Sequence, residues 1–316
     1  MGWGLVGTGG YARRACAPAF GQVGEADLVA VASSDNDRAR ALAAEVGADL
    51  ATDDLSTLLA CDDVEAVWVA SPSYMHYEQG RAALHAGKHV LMEKPLALTA
   101  AEAWRLVALA EASGVILATG YQARYVPAHL RMKQLLEQGA IGTAVMARTY
   151  YGLHRTGPPH GWRLNRDQAR WGALADIGTH HLDLLRMLMG EVGSIHGFAA
   201  RCTALQTDDV ATAVLRFTDG PLGVLAASTV VGRPAAVVEV FGTLGALVAE
   251  GTSPDGQGTA TLVRFGHEPE DITGDRPLSF VAQLETLTKV MAGERLDYAS
   301  GADGARNVEL MEQISP

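Results

Sequence analysis

The chain has 316 residues, 48% of them hydrophobic and 19% charged, with a formal net charge of −11. That composition supports a large core and more than one domain, and it excludes a disordered or coiled-coil chain. An acidic balance without a basic stripe argues against a nucleic-acid partner, and no apolar run reaches membrane-spanning length. Cys16, Cys61 and Cys202 are far apart and odd in number. Neither a disulfide framework nor a zinc cluster fits them, and no metal is expected. The first residues enter an apolar strand with no basic region or signal-length apolar core behind them, so a cytoplasmic protein is expected.

Trp3–Val6 reads as a short strand that runs at once into GTGGYARRACAPAF. Gly7, Gly9 and Ala12 match G-x-G-x-x-A. Gly7 suits a tight turn, Gly9 a close backbone approach to a pyrophosphate, and Ala12 close helix–strand packing. Thr8, Gly10 and Tyr11 complete the candidate phosphate loop, whose following helix offers free amides and a positive dipole end. Asp27–Ala32 reads as a second buried strand. Ser33, Ser34, Asp35 and Arg38 follow it. Hydroxyls and a guanidinium suit a ribose 2′-phosphate, which a carboxylate would repel, so the reading leans to NADP. Asp35 keeps NAD open, because a loop shift would bring it to the ribose.

Helices and strands then alternate. Helices are read at Asp37–Val46 and Leu55–Leu59, and strands at Val64–Ala70, His89–Met92 and Val115–Thr119. Thr99 with Glu102 forms a capping box for a long helix. Repeated β–α units with apolar strands predict an α/β fold, a doubly wound parallel sheet over residues 1–120. Ligands bind such sheets at the carboxyl ends of the strands. Ser71, Pro72, His76, Glu93, Lys94 and Tyr121 all fall just past such ends. Pro95 biases Lys94 towards an extended backbone.

Residues 121–316 read as a second domain. Tyr125–Gln138 is expected to be a helix and Ala144–Tyr151 a strand. A loop rich in His, Pro and Trp follows, GLHRTGPPHGWRLNRDQARWG. Its Trp162 and Arg163 would offer a sugar an aromatic face and bidentate polar contacts. Ala175–Arg186, ADIGTHHLDLLR, places Asp176, His180 and Asp183 on one face of a helix. An acid, an imidazole and a second acid suit proton transfer to an oxygen. His181 should point about 100° away from His180. From Val192 onwards, period-two runs predict an antiparallel meander, one face covered by helices and the other by a second subunit. Leu278–Ala292 and Gly304–Ile314 are closing helices, which can pack back on the first domain.

Four segments in order carry a resemblance: GTGGYA, the EKP of 93–95, GYQARYVPAH of 120–129 and DIGTHHLD of 176–183. Together they resemble the glucose–fructose oxidoreductase, inositol dehydrogenase and rhizopine-catabolism (Gfo/Idh/MocA) family. PPHGWRL, Ser33 with Arg38, and DIGTHHLD look most like its branch that reduces 1,5-anhydro-D-fructose with NADPH. The resemblance implies an NAD(P)-dependent oxidoreductase acting on sugars, anhydro-sugars or cyclitols. It also implies a Rossmann domain and a second domain built on a large open antiparallel sheet, which makes a homodimer or homotetramer. Residue by residue, it implies that Lys94 contacts substrate and nicotinamide, that Asp176 and His180 bind substrate and exchange the proton, and that Arg124 lies in a substrate-binding segment. One departure is Ser71-Pro72-Ser73, where the family has threonine-proline-asparagine. Two other readings stay open: a dinucleotide-binding regulator without catalysis, and an NAD-assisted glycoside hydrolase.

Overall fold

The computed structural model describes residues 1–154, 161–203, 205–252, 258–274 and 278–315. The chain divides into two compact units, Met1–Gly120 with Phe280–Val308, and Tyr121–Ser279 with Glu309–Pro316.

The first unit is a six-stranded parallel sheet. Its strands are β1 (Gly2–Val6), β2 (Asp27–Ala32), β3 (Leu50–Thr52), β4 (Ala66–Val69), β5 (His89–Met92) and β6 (Leu117–Thr119). Their spatial order is β3-β2-β1-β4-β5-β6, so β1 is central and the chain winds outwards from it in both directions. That order puts the topological switch at the carboxyl end of β1, where open α/β sheets take their ligands. β3 is a strand the sequence pattern does not reveal, because three residues carry too little periodicity. The strands are apolar on both faces because helices cover both. Trp3, Phe20 and Trp68 meet edge to face at 5.9 and 6.0 Å. The helix Ser279–Met291 adds Leu284, Leu287 and Met291 to the same core. Thr99 and Glu102 form the capping box that starts the helix Ala100–Ser113, and Gly114, in the left-handed conformation, stops it.

The second unit holds an eight-stranded mixed sheet. Its strands are β7 (Ala144–His154), β8 (Val192–Ala200), β9 (Val210–Phe217), β10 (Leu222–Ser228), β11 (Val230–Gly242), β12 (Gly245–Glu250), β13 (Thr259–Arg264) and β14 (Glu270–Asp271). The order is β14-β13-β12-β11-β7-β10-β9-β8. The expected meander is therefore interrupted. β7 lies between β10 and β11, parallel to the first and antiparallel to the second. Sequence spacing sees neighbouring hairpins, and it does not see an earlier strand inserted between them. On β9 the buried residues are Ala211, Ala213, Leu215 and Phe217. The opposite face leaves Phe198, Val214, Leu222 and Val224 exposed.

The expected helix at Tyr125–Gln138 is two elements, a 3-10 turn at Gln122–Tyr125 and an α-helix at Pro127–Glu137. Pro127 takes the first helical position, which its fixed φ and missing N–H allow. The segment Ala175–Arg186 also departs from one regular helix. A π-helical turn at Leu174–Gly178 leads into an α-helix at Thr179–Met189. A second π-helical turn, Ala12–Cys16, follows the glycine loop.

Candidate active site

In the first unit the chain leaves β1 through Gly7, at φ +112°. A Cβ there would lie 2.8 Å from the Ala70 carbonyl oxygen, so the turn and its approach to β4 both require glycine. A Cβ at Gly9 would meet nothing within 4 Å, which leaves the loop's outer side open to a ligand. Ala12 is fully buried and its small side chain lets the helix close on the sheet. These three positions fit a dinucleotide pyrophosphate in the way the spacing requires.

The residues after β2 divide into two groups. Ser33 is buried and its hydroxyl is 2.8 Å from Thr8 Oγ1, so it ties the phosphate loop to β2. Ser34 and Arg38 are exposed, and an Arg38 Nη2–H donates to Ser34 Oγ at 3.4 Å. Asp35 caps the helix Asn36–Val46 by accepting from the Arg38 N–H at 3.0 Å, and its carboxylate lies 3.3 Å from Arg38 Nε. The exposed side chains after β2 are therefore Ser34, Asp35 and Arg38, with Ser33 buried behind them.

The turns after β4 and β5 are bound to each other. His76 is buried, with Nδ1 2.7 Å from the Pro95 carbonyl and Nε2 3.0 Å from the Ser71 carbonyl. Burial, and then the nearby Lys94 charge, lower its pKa against the hydrogen bonds that raise it. Ser71 donates its hydroxyl to Gln79 Oε1 at 2.5 Å, and Pro72 leads into a short 3-10 turn. Glu93 is buried. It accepts from Trp68 Nε1 at 3.1 Å and from the Tyr11 hydroxyl at 3.2 Å. Glu93 thus joins the glycine loop to the turn carrying Lys94, which is half-buried.

In the second unit, a pocket is lined by Asp176, His180, His181, His129, Tyr151 and Thr252 among others. His180 is buried and meets the Tyr121 ring edge to face at 5.9 Å. The Tyr121 hydroxyl pairs with Thr179 Oγ1 at 2.9 Å, which fixes the residue before His180. Asp176 lies in the widened turn, a form often found at functional positions. Its carboxylate is 3.7 Å from Arg163 Nε, and the Arg163 guanidinium sits 4.3 Å from the centre of the Trp162 ring. The His160 end of the aromatic loop lies outside the described residues.

Arg124 and Asp183 form a bidentate pair at 2.6 and 2.7 Å, with Asp183 fully buried. The family resemblance implies that Arg124 lies in a substrate-binding segment; the structure gives two of its donors to Asp183, which faces Arg124 as a tether between the 3-10 turn and the helix. The sequence pattern turns His181 away from His180 and assigns His129 no role, yet both line the pocket. His129 is pushed down to about 4 by burial, opposed by a 2.7 Å bond to the Ala123 carbonyl. Its other nitrogen is 2.9 Å from Thr252 Oγ1. His181 is pushed down to about 3 by burial and then by His129, and its ring lies 4.9 Å from that of Tyr151. The full burial of the helix Thr179–Met189 explains why both faces matter: a histidine on its far side is still inside the unit. Among the described residues no cluster of three or more metal-ligating side chains occurs, and no helix is long and apolar enough to cross a membrane.

Comparison with known proteins gives the same answer from a different direction. Residues 1–121 match the description "Oxidoreductase family, NAD-binding Rossmann fold", and residues 129–248 match the GFO/IDH/MocA C-terminal domain. The chain is 30% identical over 308 residues to 1,5-anhydro-D-fructose reductase of Ensifer adhaerens, covering 96% of this chain and 91% of that one. It is 29% identical over 301 residues to myo-inositol 2-dehydrogenase of Thermotoga maritima, covering 89% and 86%. The crystal structure of aldose-aldose oxidoreductase from Caulobacter crescentus, complexed with glycerol, superposes with a TM-score of 0.91 at 25% identity, over 99% and 95% of the two chains. The chain therefore belongs to the GFO/IDH/MocA family of oxidoreductases, with an NAD-binding Rossmann domain at its N-terminal end.

Proposed function

We propose that the chain is an NADPH-preferring reductase or dehydrogenase of a small polyhydroxylated carbonyl compound: a sugar, an anhydro-sugar or a cyclitol. The observation that carries this reading is the pocket that the buried His180 and Asp176 line together, with Arg163 close to the acid and stacked on Trp162. An imidazole supported in this way suits proton exchange with a hydroxyl oxygen, and an arginine over an aromatic ring suits a polyol.

The bound nicotinamide supplies the hydride acceptor or donor. Gly7, Thr8, Gly9, Gly10, Tyr11 and Ala12 would hold the pyrophosphate, Ser34 and Arg38 the 2′-phosphate, and Ser71, Pro72, His76 and Glu93 the turns beside the ring. His180 gives its proton to the substrate oxygen during reduction and takes it back during oxidation. Lys94 polarises the carbonyl. Asp176 holds a substrate hydroxyl and orients the imidazole. Arg163 and Trp162 hold the remaining hydroxyls. The Ser34–Arg38 pair supports NADPH, and Asp35, which is engaged with its own helix, offers little to a free 2′-hydroxyl.

The test is a panel of sugars, anhydro-ketoses and cyclitols with each reduced and oxidised cofactor, read by nicotinamide absorbance. Turnover with at least one polyol and a lower KM for NADPH than for NADH is expected. Tight cofactor binding without turnover of any of them would favour a regulator instead. The exposed apolar residues Phe198, Val214, Leu222 and Val224 on one face of the mixed sheet support a homodimer or homotetramer formed there.

A further inference from the structure

We infer that Asp208, which lies in the connection between β8 and β9, is the positioning residue for Asp176 and His180. This rests on the proposed roles of those two side chains.

The helix that bears the pair begins after Gly172. The first N–H groups of any helix lack partners within it. Here three consecutive ones are taken by one residue. Asp208 Oδ1 accepts from the Gly172 N–H at 2.6 Å and Oδ2 from the Leu174 N–H at 2.8 Å. The Asp208 backbone carbonyl accepts from the Ala173 N–H at 2.8 Å. Bonds to an ionised carboxylate are shorter and about twice as strong as neutral ones. Position 172 also has no room for a side chain, because a Cβ there would lie 1.9 Å from the Asp208 carbonyl oxygen. Glycine and aspartate are therefore matched across this contact.

The grip passes directly to the candidate catalytic acid. The Asp176 N–H donates to the Gly172 carbonyl at 2.8 Å, so the residue that Asp208 clamps is the one on which Asp176 hangs. Asp176 then lies within the π-helical turn Leu174–Gly178, three residues before His180's helix begins at Thr179. An i→i+5 turn is an irregular way to start a helix. Three fixed donors at its first residues determine where it starts.

Asp208 is itself anchored. Asp209, the next residue, turns to the hairpin side and accepts from the N–H groups of Cys202 and Thr203 at 2.7 Å each. Its N–H donates to Ala200, and its carbonyl accepts from the Thr229 N–H and the Ser228 hydroxyl, each at 3.0 Å. The adjacent acids thus face opposite ways. One locks the connection to the sheet and the other locks the site helix to the connection. Burial, opposed by the two hydrogen bonds it accepts, raises the Asp208 pKa.

The experiment compares Asp208→Asn and Gly172→Ala with the parent protein. Asparagine keeps one acceptor and turns an amide donor towards the other N–H; alanine strains the same contact without changing charge. A small displacement of a catalytic group costs roughly a hundredfold in rate. In both variants kcat for the best polyol should fall about ten- to a hundredfold. The dissociation constant for NADPH, measured by fluorescence, should stay within about twofold, since the cofactor residues lie elsewhere in the chain. In a parallel measurement that needs no turnover, the His180 ring resonances in a histidine-labelled sample should shift in both variants. Unchanged His180 resonances in folded variants overturn the inference, whatever the activity. An equal loss of kcat, cofactor affinity and melting temperature also overturns it, because that is general destabilisation. A parent protein that turns over no polyol, with the resonance shifts still present, would instead remove the catalytic reading and leave the positioning role standing.

Discussion

Replacing His181 with phenylalanine should remove about half of the acid sensitivity that two buried histidines confer on the second unit. A histidine in an unfolded chain titrates near 6.5, whereas His181 and His129 are held at about 3 and about 4 in the fold. Both folded values lie below the unfolded one. Between them the unfolded chain binds more protons, so stability rises with pH in that window. The contribution is complete above pH 6.5 and is lost as the pH falls towards the folded values. From pH 7 to pH 5 the loss is about 2 kcal/mol for each ring, or about 4 kcal/mol for the two. At pH 5 both rings are still largely neutral in the fold, so this figure depends on the unfolded value and hardly on the folded ones.

Phenylalanine preserves the ring against Tyr151, which now lies 4.9 Å away and tilted by 31°. It also removes no hydrogen bond at Nδ1, which is buried without a partner among the described residues. A buried polar atom without a partner costs about 1–3 kcal/mol. The variant should therefore gain stability at pH 7 as well. Urea unfolding followed by tryptophan fluorescence at pH 7, 6 and 5 measures both effects. The parent should lose about 2 kcal/mol more than the variant between pH 7 and pH 5. Equal losses in the two proteins would refute the claim that His181 is buried in its neutral form.

Other changes separate the remaining roles. His180→Asn should lower turnover roughly a hundred- to ten-thousandfold, the worth of a general acid–base group, while leaving the NADPH dissociation constant unchanged; parallel losses in titrations and kinetics would count against proton exchange. Arg38→Ala should raise KM for NADPH about ten- to a hundredfold, the value of a lost charged hydrogen bond, and leave KM for NADH unaltered. Arg124→Ala should cost about 3–5 kcal/mol, because it strands the fully buried Asp183 carboxylate, and a melting curve would show it. Val214→Glu on the exposed face of the mixed sheet should convert the proposed dimer or tetramer to monomers in light scattering, without loss of secondary structure by circular dichroism.

Much of the first unit was legible because its signals are local. Gly7, Gly9 and Ala12 each do one steric job within a few residues, and the strands around them are apolar runs set off by turn residues. The capping box at Thr99 and Glu102 is equally local. The pairing of Ser33 is illegible for the opposite reason. Its hydroxyl is occupied by Thr8, 25 residues earlier in the chain, and nothing in the run SSD announces that pairing. Arg124 is a similar case, since the charge that claims it is 59 residues away. The place of β7 between β10 and β11 could not be read from spacing at all, because the rule that consecutive strands are neighbours favours the simpler hairpin order.

The helix bearing Asp176 and His180 shows the limit most sharply. A period of 3.6 puts residues four apart on one face, and Asp176 and His180 do line one pocket. The first of the two nevertheless sits in a wider turn, where the same spacing no longer means the same direction. The start of that turn is held from outside the segment: Gly172 accepts Asp176's N–H, and Asp208 takes the donors of residues 172, 173 and 174. A pair of adjacent acids before a strand looks like a solvated turn when only the sequence is read. In the fold one of them is the fixed point from which the site helix starts. The glycine loop repeats the pattern, since Ala12–Cys16 is also a π-helical turn and its neighbour Tyr11 is tied to Glu93, 82 residues later. In both units, then, motif residues are recognisable by their types, and a carboxylate from a distant segment ties them in place: Glu93 holds Tyr11 and Asp208 holds residues 172–174. Substitutions at Glu93 and Asp208 should accordingly disturb the two halves of the chemistry independently, the first through cofactor affinity and the second through proton exchange.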